Sequence, residues 1–186
     1  MRTAIFDLET FTLTADTGIL LCASIKEYRR AGPIKTIRAD EFPGWKRNRA
    51  NSRAVCQAIL EELHDYDIYV AHNGVWFDRT LLVSFALRYN LPLFLRFSKF
   101  IDPVLLARRH LRLSRNSLAS VLSWLQIEDK KTPIDWEHWK RAAYNGDSES
   151  MDYIVDHCEQ DVVCLEQAYD KMRKLVRDVR DNGSAY

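Results

Sequence analysis

Asp7 and Glu9 stand two residues apart at the end of the apolar run Ala4-Ile5-Phe6. In a strand, side chains two apart project from the same face. Two like charges on one face repel, and a bound cation would offset that repulsion. The plainer alternative is a solvated strand end entering a turn. Asp78 follows His72-Asn73-Gly74-Val75-Trp76-Phe77 and opens a helical pattern; as a short acid at a helix start it could equally be an N-cap. Asp161 lies in a long helical stretch, with His157 one turn earlier on the same face. Either residue could instead sit on a solvated or merely packed side of that helix. Carboxylate oxygens suit hard divalent ions, and a histidine beside them suits proton transfer near neutral pH.

The elements that must position these groups are legible by period. Thr3–Leu8, Gly18–Tyr28 and Pro33–Arg38 read as strands of an antiparallel meander. Glu41–Arg49, broken by Pro43-Gly44, reads as a loop with Trp45 exposed or half-buried. Ser52–Leu63 carries a helical period at Val55, Ala58, Ile59 and Leu63. Asp67–Ala71 is a buried strand by length and β-branching, and His72-Asn73-Gly74 turns out of it. Leu81, Leu82, Phe85 and Ala86 share a face of the helix that Asp78 opens. A further strand is expected over Phe97–Ile101. Asp102-Pro103 opens another helix. Ser117–Leu125 and Trp136–Tyr144 are short helices, the second ended by Asn145-Gly146. A last helix is expected over Glu149–Val179. Strands, helix, strand, helix, strand and several helices describe an α/β domain with a mixed central sheet and flanking helices.

Bulk properties bound the function. The chain has 186 residues and a formal net charge of +1. That length suits one domain, and that charge supplies no global field for a polyanion. The charge is unevenly spread, however. Between Arg88 and Arg115 lie seven basic residues and one acid; between Glu128 and Asp161 lie ten acids and four bases. A basic segment beside an acidic cleft suits a phosphodiester substrate, although a solvated helix face would look the same. Arg108, Arg112 and Arg115 are the candidate phosphate contacts. Trp76 is a better candidate than Phe77 for stacking on a base. The four cysteines show no C-x-x-C spacing, so neither a zinc site nor a disulfide framework is expected; Cys158 and Cys164 read as small buried side chains. No signal segment is visible, and no apolar run approaches the roughly 20 residues of a bilayer span. A cytoplasmic protein without membrane contact is the expectation.

The order of the acids carries more than any one of them. Phe6-Asp7-Leu8-Glu9-Thr10 on a first strand, His72-Asn73…Phe77-Asp78 at a strand–helix junction, and His157-x-x-x-Asp161 on a last helix together resemble the DEDD superfamily of 3′–5′ exonucleases, which have an RNase H-like fold. More narrowly, they resemble exonucleases predicted from kinship with polymerase proofreading domains. The segment from Lys131-Thr132-Pro133 to Trp139, with Gly146-Asp147, resembles the connector such proteins carry before the last acid. The resemblance spans nearly the whole chain. It implies one exonuclease domain over residues 1–180, with 181–186 as a frayed tail.

The resemblance implies two divalent cations, Mg²⁺ or Mn²⁺, held by Asp7, Glu9, Asp78 and Asp161. Asp7 would bridge them, Glu9 and Asp161 would complete the nucleophile-side site, and Asp78 would act largely through coordinated water. The implied substrate is a nucleic-acid strand with a free 3′ end, single-stranded, shortened to nucleoside 5′-monophosphates, with DNA slightly ahead of RNA. Protein partners are left open. Thr10, Asn73 and Trp76 join the arginines as candidate substrate contacts, Asn73 alternatively holding the loop that carries Asp78. His72 reads as a structural polar residue at a strand end. The family places a general base as Tyr four residues before the last acid or His five before it. Here His157 occupies the tyrosine spacing and Asp156 the histidine spacing, so His157 is the candidate base and the chain departs from both patterns. Two other functions fit parts of the sequence. One is an inactive RNase H-like module that only binds nucleic acid, which has no need of all four acids. The other is a glycosidase using Asp7 and Glu9, for which nothing else in the chain speaks.

Overall fold

The computed structural model describes residues 1–93, 95, 100–128 and 133–176. Strand β1 (Thr3–Phe11) pairs antiparallel with β2 (Ile19–Glu27), and β2 with β3 (Lys35–Arg38), forming the expected meander. β1 also pairs in parallel with β4 (Ile68–Val70), and β4 with β5 (Phe100–Ile101). The sheet order is β3-β2-β1-β4-β5, a mixed sheet with β1 at its centre. Parallel neighbours need a crossover connection. Here α1 (Arg53–His64) lies between β3 and β4, and α2 (Asp78–Tyr89) between β4 and β5. Then follow α3 (Pro103–His110), α4 (Leu118–Trp124), α5 (Trp136–Asn145) and α6 (Ser148–Met172).

The alternation of β1 divides the core. Ala4, Phe6 and Leu8 pack in one cluster with Val55 and Ile59 of α1 and Leu82 and Phe85 of α2. Ile5 faces the other way, among Leu106 of α3, Val121 and Leu122 of α4, and Val162 and Leu165 of α6. Asp7 and Glu9 continue the Ile5 side by the two-residue period, and both remain partly accessible between buried neighbours. β1 runs three residues beyond the expected end, so Glu9 lies within the strand rather than after it. A register shift falls between Glu9 and Thr10: Glu9 pairs with Cys22, and Thr10 with Leu20. Such bulges re-aim a strand where pairing must end.

Other differences from expectation have local causes. Trp45 is buried, only 6% exposed, because the segment around it turns back onto the core rather than looping away. The last helix stops at Met172 and tightens into a 3-10 turn over Arg173–Leu175, short of the expected end. α5 ends where Gly146 adopts φ +67, the left-handed conformation in which a helix commonly stops. The expected strand over Phe97–Ile101 is described only at Phe100–Ile101; the connector at Lys131-Thr132 and the tail 181–186 lie outside the described residues. Cys158 and Cys164 are buried free thiols, as are Cys22 and Cys56. Among the described residues no helix is long and apolar enough to cross a membrane.

Candidate metal centre

The C-terminal half of β1, the N-terminus of α2 and the middle of α6 bring Asp7, Glu9, Asp78 and Asp161 together. Burial is the first force on Glu9, pushing its carboxyl well above the usual range. The negative charge of Asp7 pushes it further, and those of Asp161 and Asp78 add to it. Four acids separated by up to 154 positions in sequence therefore meet in one electrostatic neighbourhood. The Trp139 indole opposes the trend: its Nε1–H donates to Glu9 Oε2 at 2.9 Å.

Asp78 is the first residue of α2 and does not cap it. The cap position belongs to Phe77, whose side chain makes no capping hydrogen bond. The Asp78 carboxyl is instead buried, 1% exposed, and Oδ1 has no hydrogen-bond partner. Burial pushes its pKa up to about 7; backbone N–H groups of Asp78 and Leu8 pull it back in part, and the charge of Asp102 raises it. A buried carboxylate oxygen without a donor is costly. A hard cation would relieve that cost, and an all-carboxylate oxygen donor set is the chemistry Mg²⁺ or Mn²⁺ takes. The residues therefore fit divalent ions. Among the described residues no three His, Cys, Asp or Glu side chains already converge as a ligand set. The acids meet at electrostatic range, and ligation would draw them closer.

His157 lies on α6 against this cluster. It is 4% exposed, its Nε2 is 3.8 Å from Glu9 Oε1, and its ring meets that of Trp139 edge-on with centroids 5.5 Å apart. Asp156, at the other candidate spacing, is exposed. The helical period thus turns position 157 inward and 156 outward. Cys158 completes the floor: its S–H donates to the Asp7 main-chain oxygen at 3.4 Å and to Oδ2 at 3.7 Å.

The remaining candidates divide. Trp76 is 53% exposed beside Asp78. Asn73 is exposed and holds φ +63, a left-handed conformation that Asn tolerates better than most residues. The Thr10 hydroxyl is turned inward and donates to the Thr12 carbonyl oxygen at 2.7 Å. His72 Nε2 lies 3.0 Å from the Asn116 carbonyl oxygen, a structural tie. Arg108 is exposed on α3; burial raises the pKa of Asp102, and the Arg108 charge offsets a small part of that rise. Arg112 and Arg115 follow α3 and line one groove together.

Two residues hold the site although the sequence alone does not single them out for that task. Trp139 is legible there only as part of a helix, since nothing local ties it to a glutamate 130 positions away. Asp102 is legible as a helix opener, and it does cap α3 by accepting from Val104 N at 2.9 Å. The same carboxylate also accepts from Asn73 N at 2.9 Å and Val75 N at 3.2 Å. It thereby pins the turn that leads to Asp78. Gly74 at the centre of that turn leaves no room for a side chain: a methyl there would come within 2.3 Å of Ala71 Cβ. Replacing Asp102 with Ala strands three N–H donors, two of them bonded in the buried interior. We expect it to cost about 3 kcal/mol in urea unfolding. A loss below about 1 kcal/mol, within the range of one ordinary hydrogen bond, would mean the turn does not depend on Asp102.

Comparison with known proteins adds two findings. The family model RNase_H_2, described as RNase_H superfamily, matches residues 4–173. No curated protein matches the chain. Among solved structures, a family B DNA polymerase from the hyperthermophilic archaeon Pyrobaculum calidifontis superposes with a TM-score of 0.76 at 14% identity. The match covers 100% of this chain and 27% of the polymerase chain. At that identity the likeness is one of fold.

Proposed function

From a chain that belongs to the RNase_H superfamily, we propose a two-metal-ion 3′–5′ exonuclease acting on a single strand and releasing nucleoside 5′-monophosphates. The five-stranded mixed sheet with its flanking helices is an RNase H-like α/β fold, a nuclease-type scaffold. The observation that carries the finer reading is the electrostatic meeting of Asp7, Glu9, Asp78 and Asp161 around the buried Glu9 carboxyl. The same reading places the catalytic unit within residues 1–180 and puts DNA slightly ahead of RNA.

In this proposal the four acids hold two divalent cations, Mg²⁺ or Mn²⁺, which when bound supply Lewis acidity to an in-line displacement at phosphorus. The protein's own groups do the rest. Trp139 fixes Glu9 in one rotamer through its indole N–H. Cys158 and the strand hold Asp7 from below. Asp102 sets the turn that delivers Asp78. His157 Nε2, facing the Glu9 carboxylate, takes the proton of the attacking water. The low exposure of His157 and Asp78 strengthens charge interactions within the site. Trp76 offers an exposed ring for the terminal base.

The test uses matched DNA and RNA strands labelled at the 5′ end, incubated with Mg²⁺ or Mn²⁺. The expected result is a ladder of strands shortened from the 3′ end, with nucleoside 5′-monophosphate as product and no reaction in EDTA. Intact strands with both metals, from protein that still binds them, would leave a nucleic-acid-binding module instead.

A further inference from the structure

The segment that joins α3 to α4, with α4 itself and Gln126 just after it, lines a groove of about 670 Å³ that the proposed chemistry does not use. Arg112 and Arg115 line it together with Trp124, the last residue of α4. Ser114, Ser120 and Ser123 add hydroxyls, and among the described residues no carboxylate lines the groove. Trp124 is 65% exposed. An exposed indole sharing a groove with two exposed arginines is poorly explained by folding, since all three side chains are left open to solvent.

The segment that lines the groove is also tied to the turn before Asp78. Asn116 directly follows Arg115, and its carbonyl oxygen is tied to His72 at 3.0 Å. His72 follows β4 and precedes Asn73, the turn that leads to Asp78. β4 runs parallel to β1, so its end lies on the sheet edge toward which Asp7 and Glu9 are carried.

We propose that this groove binds an unpaired nucleic-acid strand, with a base stacked on Trp124 and phosphates held by Arg112 and Arg115. It would grip the strand away from its reacting 3′ end. The inference rests on the reading of the chain as acting on nucleic acid. The chemistry favours an unpaired strand over a duplex, because an indole stacks only on a base whose face is open. It favours a polyanion over an apolar partner, because the lining combines cations and hydroxyls with one aromatic ring. Stacking of this kind tolerates any base, so the groove would supply grip and length dependence rather than sequence choice.

The test separates grip from chemistry. Binding of a fluorescein-labelled oligothymidylate of about 16 nucleotides, and of the matching oligouridylate, is followed by anisotropy in EDTA across a salt series. Trp124→Ala is expected to raise Kd about tenfold. Arg112→Ala with Arg115→Ala is expected to reduce the slope of log affinity against log salt by about 1.4, or about 0.7 for each phosphate no longer neutralised. With metal present, Trp124→Ala should hydrolyse a trinucleotide as fast as wild type while its KM for the long strand rises. Unchanged Kd and salt slope in all variants overturn the groove even if hydrolysis proceeds, and would leave an acidic protein segment as its occupant. Failure of the wild type to bind either strand overturns it as well. Trp124-dependent binding by a protein that hydrolyses nothing supports the groove and removes the exonuclease reading.

Discussion

Asp7→Asn should lower hydrolysis by about 10³-fold while raising the melting temperature of the metal-free protein. Both effects come from one charge. Divalent ions supply several kcal/mol to such a displacement, and about 1.4 kcal/mol is a tenfold change in rate. If Asp7 is the central ligand, as proposed, its loss should therefore lower turnover by about 10³-fold. In the absence of metal the same carboxylate is a burden. It raises the pKa of the Glu9 carboxyl, second only to burial. Burial pushes the Asp78 carboxyl, ordinarily near 3.8, up to about 7. A folded state that holds protons more tightly than the unfolded chain is favoured at low pH. Metal-free wild type should therefore lose stability as pH rises from about 4 through 7, and divalent metal should restore it. Asp7→Asn should weaken that pH dependence and the stabilisation by Mn²⁺ together. Thermal melts at pH 5 and pH 8, with and without Mn²⁺, read the prediction. An Asp7→Asn protein as active as wild type, or one that Mn²⁺ stabilises equally, would remove Asp7 from the centre.

His157→Ala is expected to reduce kcat by about 10²–10⁴-fold if His157 is the general base. The structure offers it a second task, because Nε2 stands 3.8 Å from Glu9 Oε1 and the ring packs edge-on against Trp139. The two tasks separate in the pH–rate profile. A base that is removed takes the acidic limb of kcat with it. A residue that only orients Glu9 leaves that limb in place and weakens metal affinity instead, by the roughly 10–100-fold typical of removing a group that supports a ligand. A loss under threefold with metal binding intact would dismiss the role of base. His157→Gln provides a control for packing, since it keeps a polar side chain in the buried position.

Much of this arrangement is periodic and hence legible in the sequence. Asp7 and Glu9 share a face because strand side chains alternate, and His157 and Asp161 share one because helix positions four apart do. The meander β1-β2-β3 follows from short alternating runs parted by turns, and the crossover helices follow from where the apolar period changes. The end of α6 is less legible, because apolar spacing alone does not say where packing stops repaying helix formation. Trp45 shows the same limit: a Pro-Gly break marks a turn but not the surface the turn folds onto.

What the sequence determined by itself was the set of residue types and their local placement: an acid pair on a strand, an acid at a helix start, and a histidine one turn before an acid on a helix. Their meaning required tertiary structure. The step from Asp78 as a possible cap to Asp78 as a buried carboxyl depends on the burial and partners that the whole fold provides. The indole that holds Glu9 is 130 positions away. Asp102, a cap by its sequence, also ties down the turn before Asp78 from 27 and 29 positions away. Local sequence can specify period and propensity because those arise from neighbouring backbone geometry. It does not specify dielectric environment or long-range hydrogen bonds, because both arise only when distant segments exclude water together.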